Sequence, residues 1–162
     1  MTSVGIQMIA GVNSTLSRIV LLGNKIDTPA LMTLANNTIH YHLENIVLGD
    51  MAIPAQGLKQ FCMMVSSSSS QLKSFTLRNI KRFNLLHADA LVPCLKRLTS
   101  FDGSFNQGLT DEALKIWAPA IKASRLVAIN LEFCNLEQIT SLTAALPETI
   151  ARIVLSGNPI LS

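Results

Sequence analysis

Leu16-Ser17-Arg18-Ile19-Val20-Leu21-Leu22-Gly23-Asn24-Lys25-Ile26 sets the pattern for the whole chain. Its apolar framework falls at Leu16, Ile19, Leu21 and Ile26 around Asn24, and the same spacing returns in segments starting at Leu43, Leu72, Leu98, Leu126 and Ile150. Separations of 27, 29, 26, 28 and 24 residues lie in the range where self-similarity signals a stack of repeated units. Of 30 framework positions 25 match when Cys134 is allowed in the asparagine slot, more than a chain with 49% hydrophobic residues would give by accident. The departures are Met51 and Ile80 in the asparagine slot, Arg82 with Phe83 one place late, Gly103 in an apolar slot, and Gly108 with Leu109 one place late.

Each unit changes its period halfway. Stretches such as Ile19-Val20-Leu21 and Ile129-Asn130-Leu131 predict short strands with one buried face. The second half takes helical spacing: Thr28 and Pro29 suit a helix start before Leu31, Leu34 and Ala35. Thr110-Asp111-Glu112 places acidic residues at the start of a helix that buries Leu114, Trp117, Ala118 and Ile121. Pro93 is expected to end or kink a helix from Asn84 to Leu95, and Pro119 to do the same to the helix carrying Trp117. Ser66 to Ser70 predicts a loop between helix and strand, since the period runs straight across it.

These segments resemble the leucine-rich repeat family, in its long, helix-bearing, ribonuclease-inhibitor-like type. The resemblance covers essentially the whole chain and implies an α/β solenoid of about six repeats forming one domain over residues 1–162. It implies a horseshoe, with parallel strands on the concave face and helices on the convex face. In that family the asparagine amide bonds the backbone of the turn leaving the strand, and cysteine is a known substitute. Met51 and Ile80 have no amide, so that ladder is expected to break under the second and third units. Val4 to Asn13 matches the helical half of a unit with no strand before it, and the last residues stop just past the sixth strand. The expectation is therefore a fragment, or an open array that self-associates through uncapped ends.

Composition narrows the partners. Charged residues make up 14% of the chain, against roughly 25% in an average globular protein, yet no apolar run approaches the length needed to span a bilayer. The first 15 residues lack a basic region and a long apolar stretch, so no secretory signal is read and an intracellular, cytoplasmic site is expected. A net charge of +3 without basic runs interleaved with aromatics argues against nucleic acid. Cys62, Cys94 and Cys134 lack CxxC spacing and are expected to be buried free thiols. Asn13-Ser14-Thr15 and Asn36-Asn37-Thr38 fit the glycosylation tripeptide, but nothing supports their use.

No nucleophile elbow, phosphate loop, HExxH or dinucleotide fingerprint occurs, so neither an enzyme nor a cofactor is expected. His40 and His42, with Glu44 beyond, have a spacing that an extended segment could turn to a metal, but they fall at a helix-to-strand junction with no further ligand nearby. His87 is placed on a helix, at the surface or lightly packed.

The alternation of framework and intervening residues points Arg78, Asp102, Phe105, Asn130, Glu132 and Phe133 at the concave surface. Six strands would make that surface roughly 25 to 30 Å across, enough for one side of a protein interface. Phe105 and Phe133, at equivalent places in adjacent units, would anchor a protein partner within a charged rim. Alternatively, Phe105 swings inward to fill the space left by Gly103. The resemblance also admits regulatory roles of the GTPase-activating, actin-capping or sensor type.

Overall fold

A computed structural model describes Gly5 and residues 15–67 and 69–159. The expected terminal half-unit from Val4 to Asn13 lies outside the described residues except for Gly5. The strands are β1 (Arg18–Leu22), β2 (Asn45–Gly49), β3 (Ser74–Arg78), β4 (Ser100–Asp102), β5 (Ala128–Asn130) and β6 (Arg152–Val154). The helices are α1 (Thr28–His40), α2 (Ala55–Val65), α3 (Leu85–Leu95), α4 (Asp111–Lys122) and α5 (Thr140–Thr143). All six strands are parallel, in sequential order and in matching register, Ile19 beside Ile46 beside Phe75 beside Phe101 beside Ile129 beside Ile153.

One face of the sheet is apolar because the strands alternate. Ile19, Leu21, Ile46, Leu48, Phe75, Leu77, Phe101 and Ile129 are buried against the helices, while Arg18, Val20, Thr76, Asp102 and Asn130 stay partly or fully exposed on the other face. Each helix packs against the next. Trp117 of α4 ties two of them together, its indole N–H donating to the Ala88 carbonyl of α3 at 2.8 Å while its ring meets Phe101 edge-on at 5.5 Å. Asp27 and Asn84 cap α1 and α3 with side-chain oxygens. Pro93 and Pro119 neither end their helices at once nor stand at their starts. Each lies inside its helix, two and three residues before the end.

The horseshoe is not formed. The sheet is flat, neither curled nor closed, and the resemblance to the leucine-rich repeat family and its ribonuclease-inhibitor-like type fails on that point. Curling needs a helix layer wider than the strand layer, because helix axes pack about 8–10 Å apart and strands about 4.8 Å apart. Small residues line the helix interfaces here and permit close approach. A Cβ on Gly57 of α2 would stand 2.6 Å from the Thr28 hydroxyl of α1, and Ala30, Ala35, Ala88, Ala90, Ala113 and Ala120 are all fully buried in the helices. The fifth helix is a single turn of four residues. With no concave face, partner binding in a concave cradle is withdrawn, together with the regulatory roles that came with the family.

The framework departures have local causes. Arg82 takes a left-handed φ of 61°, and this extra residue lets Phe83 turn inward and become buried. The space beside Gly103 is filled by the Phe101 ring and Leu109. Phe105 does not swing inward.

Candidate binding site at the carboxyl end of the sheet

In every unit one residue just after the strand adopts a left-handed backbone: Gly23, Asp50, Asn79, Phe105, Phe133 and Gly157, with φ between 48° and 71°. Glycine, asparagine and aspartate tolerate that region; for a bulky side chain it is a genuine outlier. The backbone ladder continues into these residues, with Gly23, Asp50, Asn79, Phe105 and Phe133 donating their N–H groups to the neighbouring unit at 2.8–3.2 Å. The conformation is therefore fixed by the stack, and the side chains form a column along the carboxyl end of the sheet.

The column is polar at one end and aromatic at the other. Asn79 donates its amide to the Asp50 carboxylate at 2.8 Å. Phe105 and Phe133 stack with ring centroids 5.0 Å apart and planes 24° from parallel. The Arg78 guanidinium lies over the outer side of Phe105, 5.3 Å from the ring centroid, within the range of a cation–π contact. At the other end the Phe133 ring rests on Gly157, where an added Cβ would fall 2.3 Å from it. Both rings remain open to solvent, at 39% and 43% exposure.

The six predicted site residues fall together at this end of the sheet. Arg78 closes β3 and Asp102 closes β4, while Asn130 closes β5. Asp102 and Asn130 are register partners and do the same local work: each accepts through Oδ1 a backbone N–H two residues on, from Ser104 at 2.9 Å and from Glu132 at 3.0 Å. They also line a local pocket of about 290 Å³ on the uncovered face with Thr76, Ser100 and Arg152. Glu132 stands two residues past β5, half-buried and without an ion pair among the described residues. Sequence reasoning missed Gly157 and the column itself. The signal was present: the residues before the framework asparagine slot are Gly, Asp, Asn, Phe, Phe and Gly, a series of left-handed formers interrupted by two aromatics.

Beneath the platform, the buried amide of Asn106 and the half-buried amide of Asn158 hold the turns. Asn106 accepts the Ile80 N–H at 2.8 Å and donates to the Leu77 and Gly103 carbonyls at 2.7 and 2.8 Å. Asn158 repeats this two units further on, to Leu136, Leu131 and Leu155. Cys134 takes the equivalent place with its thiol donating to the Gly103 carbonyl at 3.3 Å. Burial pushes that thiol up to about 11. Met51 and Ile80 are buried apolar residues in the same slot and supply no amide of their own, although the Asn106 amide reaches the third unit from the fourth and the Asn79 amide joins the third to Asp50 of the second.

Other candidate chemistry is spent on structure. The His87 ring nitrogens face the Asn84 Oδ1 at 2.8 Å and the Ile53 carbonyl at 2.9 Å, tying α3 to the loop after β2. His40 ends α1 and His42 lies beyond it, both exposed, and the described residues contain no group of three or more side chains placed to hold a metal. Asn36-Asn37-Thr38 lies inside α1 with Thr38 fully buried. Cys62, Cys94 and Cys134 are buried and free. Burial, then the neighbouring Cys94, raises the Cys62 thiol well above its ordinary range.

Nucleotide sites in open parallel sheets sit where strand order reverses. Sequential order provides no such reversal. No protein-family model matches the chain, and no curated protein matches it. Fold and site define its class: an open α/β sheet with sequential parallel strands and an aromatic platform at their carboxyl end.

Proposed function

We propose that the chain is a protein-binding module that seats a segment of a partner on the Phe105–Phe133 platform, with no catalysis of its own. One observation carries this: two phenylalanines hold a left-handed backbone and yet leave their rings half in solvent. Such a backbone costs a bulky residue about 1–2 kcal/mol. The stack holds this backbone in place, and residues strained in this way cluster at ligand-binding and active sites. Aromatic side chains that combine large contact area with few rotatable bonds are the usual anchors of binding surfaces. Against catalysis stands the use of the titratable groups: both His87 ring nitrogens face protein oxygens at hydrogen-bond distance, and the thiols are buried with Cys62 and Cys134 pushed away from ionisation.

Among the described residues no helix is long and apolar enough to cross a membrane. We place the chain inside the cell, where three buried cysteines stay reduced. A photo-crosslinking phenylalanine analogue at position 133 tests the binding role in the native cell. The platform predicts a discrete protein adduct from position 133 and none from the exposed helix position Leu86. Equal adducts from both positions would remove it.

A further inference from the structure

We infer that the segment seated on the platform is an extended peptide carrying an acidic residue and, three positions further on, a basic one, its acid over Arg78 and its base over Glu132. The inference rests on the platform being a binding site. Extending the β3–β4 and β4–β5 registers by two residues puts Arg78, Ser104 and Glu132 side by side on the uncovered face. The Asn79 and Phe105 N–H groups, bonded to the Ser104 and Glu132 carbonyls, fix that alignment.

Ser104 is buried at 3% exposure, so its own side chain offers a ligand no contact between the two charged residues. Arg78 is held by its contact with the Phe105 ring and by Gly49, where a Cβ would fall 2.8 Å from its Cγ. No described protein acceptor receives its guanidinium, and its Nε is buried without a partner. Guanidinium donors left without a protein acceptor on a partly exposed side chain and fixed over an aromatic ring are suited to a carboxylate, which Arg takes in a planar fork. Nearby Asp102 spends one oxygen on the Ser104 N–H and makes no ion pair with Arg78.

The spacing selects the ligand's shape. Two strand intervals separate Arg78 from Glu132 by about 9.6 Å. In a polyproline II segment, residues three apart lie on one side at about 9.3 Å. Such a segment crosses the strand ends with its two charged residues facing them and turns one of the two residues between toward the exposed ring edges of Phe105 and Phe133, as extended ligands do on aromatic-lined grooves. Charge order then fixes direction, acid toward β3 and base toward β5.

Selection from a phage-displayed library of random peptides tests this on the full chain. The expected winners share an acidic residue followed three positions later by Lys or Arg, and Arg78→Glu weakens them about tenfold or more. Selection on the charge-swapped variant Arg78→Glu with Glu132→Lys should recover the opposite order, base first. Winners that need Phe105 and Phe133 but carry no such pair, or whose order is unchanged by the swap, overturn the inference and leave the platform standing. Winners that bind Phe105→Asn with Phe133→Gly undiminished overturn the platform as well, as does a library yielding no binder. Circular dichroism of each variant confirms that it is folded.

Discussion

Phe105 and Phe133 are the residues whose backbone and side chain disagree. The left-handed φ favours glycine or asparagine, and the rings recover only part of that cost through mutual stacking, worth about 0.5–1.5 kcal/mol. Buried Phe101 offers the contrast, since truncating a core phenylalanine costs about 3–5 kcal/mol. Asn106 is the opposite kind of residue, buried with its amide fully used. Asn106→Ala removes the partners of the Ile80 N–H and the Leu77 carbonyl and leaves the Gly103 carbonyl only the Cys134 thiol, and should cost about 2–3 kcal/mol, measured by urea unfolding. Cys134 adds a test with a sign. Its thiol is pushed up to about 11 by burial, so the folded state favours the protonated form. Its contribution to stability is intact below about pH 8.5, the free-thiol value, and is lost as pH rises through the folded value. Cys134 should therefore resist alkylation at pH near 8 and react when urea opens the fold; rapid labelling of the native protein would contradict its burial.

At the scale of elements, the alternation of strand and helix is legible in the sequence because it rests on period. Apolar alternation marks the strands and a shift to three-and-four spacing marks the helices, as Ile129-Asn130-Leu131 and Leu114-Trp117-Ala118-Ile121 illustrate. The turns are legible only in part. Period says nothing about backbone handedness, so the left-handed column at Gly23 through Gly157 is visible only when the slots are compared by tolerance for positive φ. Close approaches are equally hidden. Gly108 lies against the loop of the preceding unit, where an added Cβ would fall on the Phe83 carbonyl. The contact is backbone, which cannot rotate away, and Gly108→Ala should destabilise by about 2–3 kcal/mol, seen as a lowered urea midpoint with an unchanged slope. A neutral outcome would mean that the two loops do not meet.

For the whole molecule, the sequence carries the order of the units but not the shape of their sum. Spacing near 27 residues predicts a stack, and whether the stack curls depends on the difference between helix and strand intervals. Small residues such as Gly57 bear on that difference by permitting close helix approach, and their importance lies in what they meet across the interface rather than in any pattern along the chain. Flatness moves the candidate site from a concave floor to the strand ends, and it brings the same six residues into a different role: a stacked pair with a cation at one side and flanking carboxylates. The central claim is that Phe105 and Phe133 are held for the surface and not for the core. Urea unfolding of the Phe105→Asn, Phe133→Gly double variant tests it most directly. Relief of two left-handed backbones should offset the lost ring contacts and leave stability within about 1 kcal/mol of the parent; a loss above about 3 kcal/mol, the range of a buried phenylalanine, would contradict the account.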